Sequence, residues 1–189
     1  MPTERHAVYA GSFDPPTRGH IHILERATRL FDVVTVLVAT NADKKRTPLL
    51  TPKERVSVFN WFADFWSRCA GTSGVRISVV RTAILGPRDY TVRFAHLVSA
   101  GFVVRGLRDG MDFEYERKLQ FAQSRLCRRF DIPEPETVYL GSTLDDDLYT
   151  SSTLVHGLME MDDWENAVGE FVPPVTLDIL KRRLNGSHV

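Results

Sequence analysis

Cysteine is scarce in this chain: Cys69 and Cys127 are the only two, and neither belongs to a Cys-x-x-Cys pair or stands near a histidine at metal-ligand spacing. That removes a disulfide framework and a cysteine zinc site, and it points to a reducing, cytoplasmic setting. No apolar run approaches the ~20 residues that a membrane span needs. The start, Met1-Pro2-Thr3-Glu4-Arg5-His6, has no apolar signal core. No membrane partner is expected. A basic excess is missing too, because 24 Lys plus Arg balance 24 Asp plus Glu. That argues against a general nucleic-acid binder and leaves room for a local basic pocket. Finally, GxxxxGK[ST] and GxGxxG are both absent, so neither the ordinary P-loop nor the ordinary dinucleotide fingerprint is present.

What is there reads as one soluble domain. The 189 residues are 43% hydrophobic and 25% charged, an ordinary globular balance. His6–Ala10 is a short apolar run that ends in a Gly-Ser turn, the pattern of a strand. Arg18–Phe31 carries Ile21, Leu24, Ala27 and Phe31 at helical spacing. Val33–Ala39 is almost entirely apolar and β-branched, as in a strand buried on both faces of a parallel sheet. Thr51-Pro52-Lys53-Glu54 opens a helix with a cap, a first-turn proline and an acid. That helix is expected to run towards Cys69, with a turn over 71–74 and a third strand over Val75–Val80. A helix over Tyr90–Ala100, a strand over Phe102–Val104, a helix over Phe113–Arg129 and a strand over Thr137–Leu140 follow. Helices are expected from Ser151 to Met161 and from Pro174 to Leu184. The alternation predicts an α/β fold, a doubly wound five-stranded parallel sheet, Rossmann-like, with residues 151–189 as a helical C-terminal cap.

In such folds ligands bind beyond the carboxyl ends of the strands. Gly11-Ser12-Phe13-Asp14-Pro15-Pro16-Thr17-Arg18-Gly19-His20 falls there, after the first strand and at the start of a helix, where backbone N–H groups and the dipole favour phosphate. Gly11 is read as allowing close approach to the backbone, Gly19 as allowing a tight turn, and His20 as facing the phosphates. Arg105 and Arg108 follow the fourth strand, and guanidinium forks suit phosphate oxygens. Ser151-Ser152-Thr153 opens a helix after the fifth strand, where hydroxyls and N–H groups can hold phosphate and also cap the helix. Lys44-Lys45-Arg46 is a basic loop, and Glu116 an acid early in its helix.

Together these strings resemble a known family. GSFDPPTRGH is similar to the signature of the nucleotidyltransferase superfamily related to class I aminoacyl-tRNA synthetases. Val104-Arg105-Gly106-Leu107-Arg108-Asp109-Gly110-Met111-Asp112-Phe113-Glu114-Tyr115-Glu116 resembles the RGLR-x(3)-DFEYE string of the phosphopantetheine adenylyltransferases. Tyr149-Thr150-Ser151-Ser152-Thr153-Leu154-Val155 resembles that family's ISSSxV stretch. The resemblance spans about residues 6 to 184, in the family's order. It implies adenylyl transfer from ATP to 4′-phosphopantetheine, giving dephospho-coenzyme A and pyrophosphate in coenzyme A biosynthesis. It implies catalytic roles for His20, Lys44 and Arg105, with the acceptor held by Ser12, Lys44, Thr91 and Arg105. ATP would meet Ser12, Phe13, His20, Gly106, Leu107, Arg108, Glu116, Asp147, Leu148, Tyr149, Thr150, Ser151, Ser152 and Thr153. Mg²⁺ would ride on the triphosphate without a protein cage. A homo-oligomer, a hexamer by resemblance, and feedback inhibition by coenzyme A are also implied.

The chain departs from the family in places. Ser12 stands for the commoner Thr, Thr150 for Ile, His156 for Lys or Arg, and Gln123 for Asn. Arg46-Thr47 look inserted, and Gly86–Thr91 differs from the usual hydrophobic stretch near the acceptor arm. Two other readings stay open at this level. One keeps the reaction and takes nicotinate or nicotinamide mononucleotide as acceptor. The other is a nucleotide-binding regulatory protein without catalysis.

Overall fold

β-Branched runs build the centre of the molecule. The structure is a computed structural model that describes residues 4–39, 47–73, 78–86, 89–107, 110–141 and 150–185. Lys44, Arg108, Asp147, Leu148 and Tyr149 lie outside the described residues. Five strands, β1 (His6–Gly11), β2 (Val33–Val38), β3 (Val79–Ile84), β4 (Phe102–Leu107) and β5 (Glu136–Gly141), form one parallel sheet in the order β3-β2-β1-β4-β5. Every residue of β2 is buried, as the unbroken VVTVLV run requires. The polar Thr35 in it is served by His6, whose Nε2 lies 2.8 Å from its hydroxyl.

Between the strands run α1 (Arg18–Leu30), α2 (Pro52–Ser73), α3 (Thr91–Leu97) and α4 (Gly110–Phe130). After the sheet come α5 (Ser152–Leu158), α6 (Trp164–Gly169) and α7 (Pro174–Asn185). α1 buries Ile21, Ile23, Leu24 and Ala27, each large aliphatic among them stabilising by about 1.5–3 kcal/mol. They join Tyr9, Phe13, Val36, Phe59 and Val104 in the main core. The C-terminal helices make a smaller core of Val155, Val168, Val172 and Leu180 around Leu50, and Val175 and Ile179 of α7 reach the main one.

Four expectations are corrected. The third strand is Val79–Ile84 rather than Val75–Val80, and α2 continues to Ser73 through the expected turn. The cause is register: β3 pairs along the whole of β2, from Val33↔Val79 to Val38↔Ile84. As an edge strand with an exposed side it tolerates Arg81 and Thr82, which interrupt the apolar pattern. Likewise β4 does not stop at Val104. Pairing with β5 carries it through Arg105↔Tyr139 to Leu107↔Gly141, so Arg105 sits within the strand rather than after it. A short helix, α6, separates the two expected after residue 151.

Candidate active site

The cleft comes from a difference in pairing length. β1 pairs with β2 over six residues, to Gly11↔Val38. β4 pairs with β5 over six, to Leu107↔Gly141. Between β1 and β4, however, the ladder runs only from Ala7↔Phe102 to Tyr9↔Val104. Beyond that rung the central strands part. The sheet order also reverses here, which is where α/β sheets take ligands. A cavity of about 260 Å³ opens at this place, lined by residues 9–13, by Gly19, His20 and Ile23 of α1, by Arg105, Gly106 and Leu107, by Tyr115 and Glu116, and by residues 150–153.

His20 is oriented by its own helix. Thr17 caps α1, and His20 occupies the third helical position in a capping-box arrangement. Its Nδ1 accepts from the Thr17 N–H at 3.0 Å and lies 2.8 Å from the Thr17 hydroxyl. A backbone N–H can only donate, so Nδ1 is the acceptor and the ring proton belongs on Nε2. His20 therefore presents a donor edge. The Phe13 ring meets it edge-on at 5.1 Å, and Phe13 is wedged in turn against Tyr9 and Phe59.

Phe13 has φ 48°, in the left-handed region, and its side chain is buried in the core. What it can offer a ligand is backbone. Its ring also explains Gly11. A Cβ there would lie 2.8 Å from two ring carbons, so the glycine makes room for an aromatic ring and not only for a ligand.

Arg105 crosses the parted strands. Its Nη1 donates to the Ala10 carbonyl at 3.3 Å, and its Nε lies 3.3 Å from Glu116 Oε2. Both partners are largely buried, 12% and 17% exposed at the side chain. These contacts hold the guanidinium at the cavity wall. At the opposite wall the Ser151 hydroxyl accepts from the Leu154 N–H and caps α5, while the Ser152 hydroxyl donates to the Pro15 carbonyl. The hydroxyl of Ser152 is thus spent on the β1–α1 loop. Thr153 and the buried Thr150 complete that wall.

Of the described candidates, all but Thr91 come together at this cavity. Thr91 instead opens α3, after Tyr90. His156 turns away from the cavity towards Asp14, with Nε2 3.1 Å from the Asp14 carbonyl. Gln123 does not line the cavity either.

Asp14 and Thr17 stand in the Gly11–His20 string and Arg55 in a Thr51-x-x-Glu54-Arg55-Val56 stretch similar to the family's, but the sequence assigns none of the three a role. Asp14 and Arg55 form an ion pair at 3.3 Å with side chains 7% and 3% exposed. Burial pushes the Arg55 guanidinium below its usual range and Asp14 opposes that shift. One signal was available: Arg55 falls at i of the i, i+3, i+4, i+7 series made with Val58, Phe59 and Phe62, the apolar stripe of α2. A charge on that stripe needs a buried partner.

Comparison with known proteins agrees with this geometry. The cytidylyltransferase-like family model matches residues 8–182. A phosphopantetheine adenylyltransferase of Neisseria meningitidis serogroup C is 36% identical over 171 residues, 90% of this chain and 89% of that protein. Its counterpart in Lacticaseibacillus casei is 35% identical over 188 residues, 98% of each chain. Among solved structures, a Plasmodium falciparum nicotinic acid mononucleotide adenylyltransferase in complex with NaAD superposes with a TM-score of 0.63 at 15% identity, covering 95% of this chain and 96% of that one. At that identity the likeness speaks for the fold. Parted central strands, a histidine locked as an Nε2 donor and relatives matched along nearly the full length lead to one assignment: the chain belongs to the cytidylyltransferase-like family and, within it, to the phosphopantetheine adenylyltransferases.

Proposed function

We propose that this protein transfers the adenylyl group of ATP to the phosphate of 4′-phosphopantetheine, releasing pyrophosphate and forming dephospho-coenzyme A. The acceptor phosphate attacks the α-phosphorus in line, and the pyrophosphate oxygen leaves. No protein nucleophile takes part, so the protein contributes orientation and stabilisation of developing charge. The observation that carries the reading is the shared cavity, in which the Nε2–H edge of His20 and the clamped Arg105 line the same cleft. His20 donates to an α-phosphate oxygen as charge builds there. Arg105 and Lys44 take the acceptor phosphate, with Ser12 beside the acceptor; Thr91, at the start of α3 and outside the cavity, has no part in this reading. Glu116, Gly106, Leu107, Arg108 and the 147–153 segment hold the nucleotide, together with the Phe13 backbone.

Mg²⁺ arrives on the triphosphate in this reading. Among the described residues, the carboxylate of the cavity wall is Glu116, which is paired with Arg105; in this reading phosphate oxygens and water supply the donors for the ion. Bound there, it would supply positive charge to the phosphates.

Coenzyme A contains both an adenylate and the pantetheine arm, and as a product-like ligand it competes for the same cleft. Assembly into a hexamer in the cytoplasm completes the reading. Phe113 and Phe121, exposed on α4, are surface of the kind assembly buries.

Pyrophosphate release measured with phosphopantetheine and with nicotinate mononucleotide, each in turn, tests the acceptor. Turnover with the pyridine mononucleotide alone refutes it. His20→Ala lowers kcat by at least about 10²-fold, the loss seen when one preorganised donor is removed. A change of less than tenfold refutes the role given to His20.

A further inference from the structure

Two irregular segments meet behind the cavity, 12–15 after β1 and 47–50 before α2. Neither is served by a helix or strand ladder, yet Asp14, Pro15 and Leu50 are buried. Buried backbone polar groups need partners, and here side chains supply them. Asp14 Oδ1 accepts from the Leu50 N–H at 3.0 Å and Oδ2 from the Leu49 N–H at 3.2 Å. Arg55 donates through Nε and Nη2 to the Leu50 carbonyl, at 2.8 and 2.5 Å, and through Nη1 to the Ser12 carbonyl at 3.0 Å. From α5, His156 Nε2 donates to the Asp14 carbonyl at 3.1 Å and lies 3.5 Å from Oδ2, and the Ser152 hydroxyl donates to the Pro15 carbonyl at 3.0 Å. Three carbonyls of the 12–15 loop are therefore each held by a side chain from α2 or α5.

We propose that Asp14, Arg55 and His156 are positioning residues for adenylyl transfer: they lock the loop that carries Ser12 and leads to His20 against the 47–50 segment on one side and α5 on the other. The proposal rests on the functional reading above. A buried ion pair is a poor way to gain stability alone, since apolar residues of similar size often serve as well. As a template for two loops it has a use that apolar residues lack, because the carboxylate takes backbone N–H groups while the guanidinium takes backbone carbonyls. Arg55 takes carbonyls from both segments with one rigid fork, a geometry that lysine cannot reproduce. None of the three residues lines the cavity, so their effect on the reaction passes through Ser12 and His20.

The test compares Arg55→Lys, Asp14→Asn and His156→Ala with Val58→Ala. Val58 is fully buried in the main core on the same helix, and its truncation lowers stability without touching either loop. His156 is 16% exposed at the side chain, so its truncation leaves a folded protein if the deeper variants do not. Each variant is melted, and kcat and KM for both substrates are measured per folded molecule. In Arg55→Lys and Asp14→Asn, kcat falls about tenfold or more, since a displacement near 1 Å costs up to about 10²-fold. In His156→Ala it falls threefold or more, while Val58→Ala keeps kcat within twofold at a comparable loss of Tm. Variants that melt early yet turn over within twofold of the wild type overturn the proposal and make the network purely structural. Wild-type protein inactive with both acceptors overturns the functional reading and the proposal with it, whereas an active wild type beside unaffected variants overturns the proposal alone.

Discussion

Adding one methyl group at Gly11 probes the packing that stands behind His20. A Cβ at this position lies 2.8 Å from Cε1 and Cζ of Phe13 and 3.2 Å from Cδ1, well inside contact distance, so the ring has to move. It has little room, because it is buried and packs edge-on against Tyr9, His20 and Phe59 with centroids 4.9–5.1 Å away. Overpacking of this kind costs about 1–3 kcal/mol. In a chain of this size each kcal/mol lowers Tm by roughly 2–4 °C, so Gly11→Ala should melt about 2–12 °C early. The ring that yields is also the one that braces His20, and kcat should fall about tenfold as the imidazole loses its set position. Calorimetry and steady-state pyrophosphate release read the two effects. Phe13→Leu in the Gly11→Ala background relieves the clash and recovers part of the lost stability while leaving kcat low, since the brace on His20 is gone. Gly11→Ala with wild-type Tm and kcat would show that the ring does not stand where the argument needs it.

Two other perturbations follow from single contacts. Thr17→Val removes the hydroxyl 2.8 Å from His20 Nδ1 and keeps the backbone N–H bond; a lost hydrogen bond of about 0.5–1.5 kcal/mol predicts a two- to tenfold fall in kcat, and unchanged turnover would refute the orienting role of Thr17. His6 is buried with Nδ1–H donating to the Val98 carbonyl and Nε2 accepting from Thr35, and burial, aided by Arg81, holds its pKa below the ordinary 6.5 against the Val98 bond. The unfolded chain then binds the proton first as pH falls. The contribution of this group is complete above 6.5 and declines below it until the folded value is passed. His6→Gln should flatten Tm against pH between 5 and 7, and an unchanged slope would assign the pH dependence to other groups.

Much of this arrangement was legible in the residues. The β-branched run of β2, the capped start of α2 and the strand–helix alternation follow from short-range physics, and all five strands were expected. The errors lie where tertiary pairing decides. Val75–Val80 and Val79–Ile84 carry the same apolar content, so local composition cannot choose between them, whereas β3 takes its limits from the length of β2. Arg105 looked like a loop residue for the same reason, since the register with β5 that carries β4 through it is invisible in local sequence. At the site, the Gly11–His20 string announced itself by residue type. Glu116 and Arg105 were placed separately, and that they pair at 3.3 Å could not be read from positions on different elements. Asp14 hid inside a familiar string, although the misplaced charge of Arg55 on an apolar stripe hinted at a buried partner.

The early end of the ladder between β1 and β4 makes the middle of the sheet its mechanical weak point. On one side lie β2 and β3, on the other β5, each zipped along its full length. Across the gap beyond Tyr9 and Val104 a long arginine side chain reaches the Ala10 carbonyl. In the proposed reading, a nucleotide lodged there would take the place of the missing rungs and join the two halves of the sheet. Occupancy should therefore stiffen the molecule at its centre rather than at its rim, slowing amide exchange most at the carboxyl ends of the first and fourth strands.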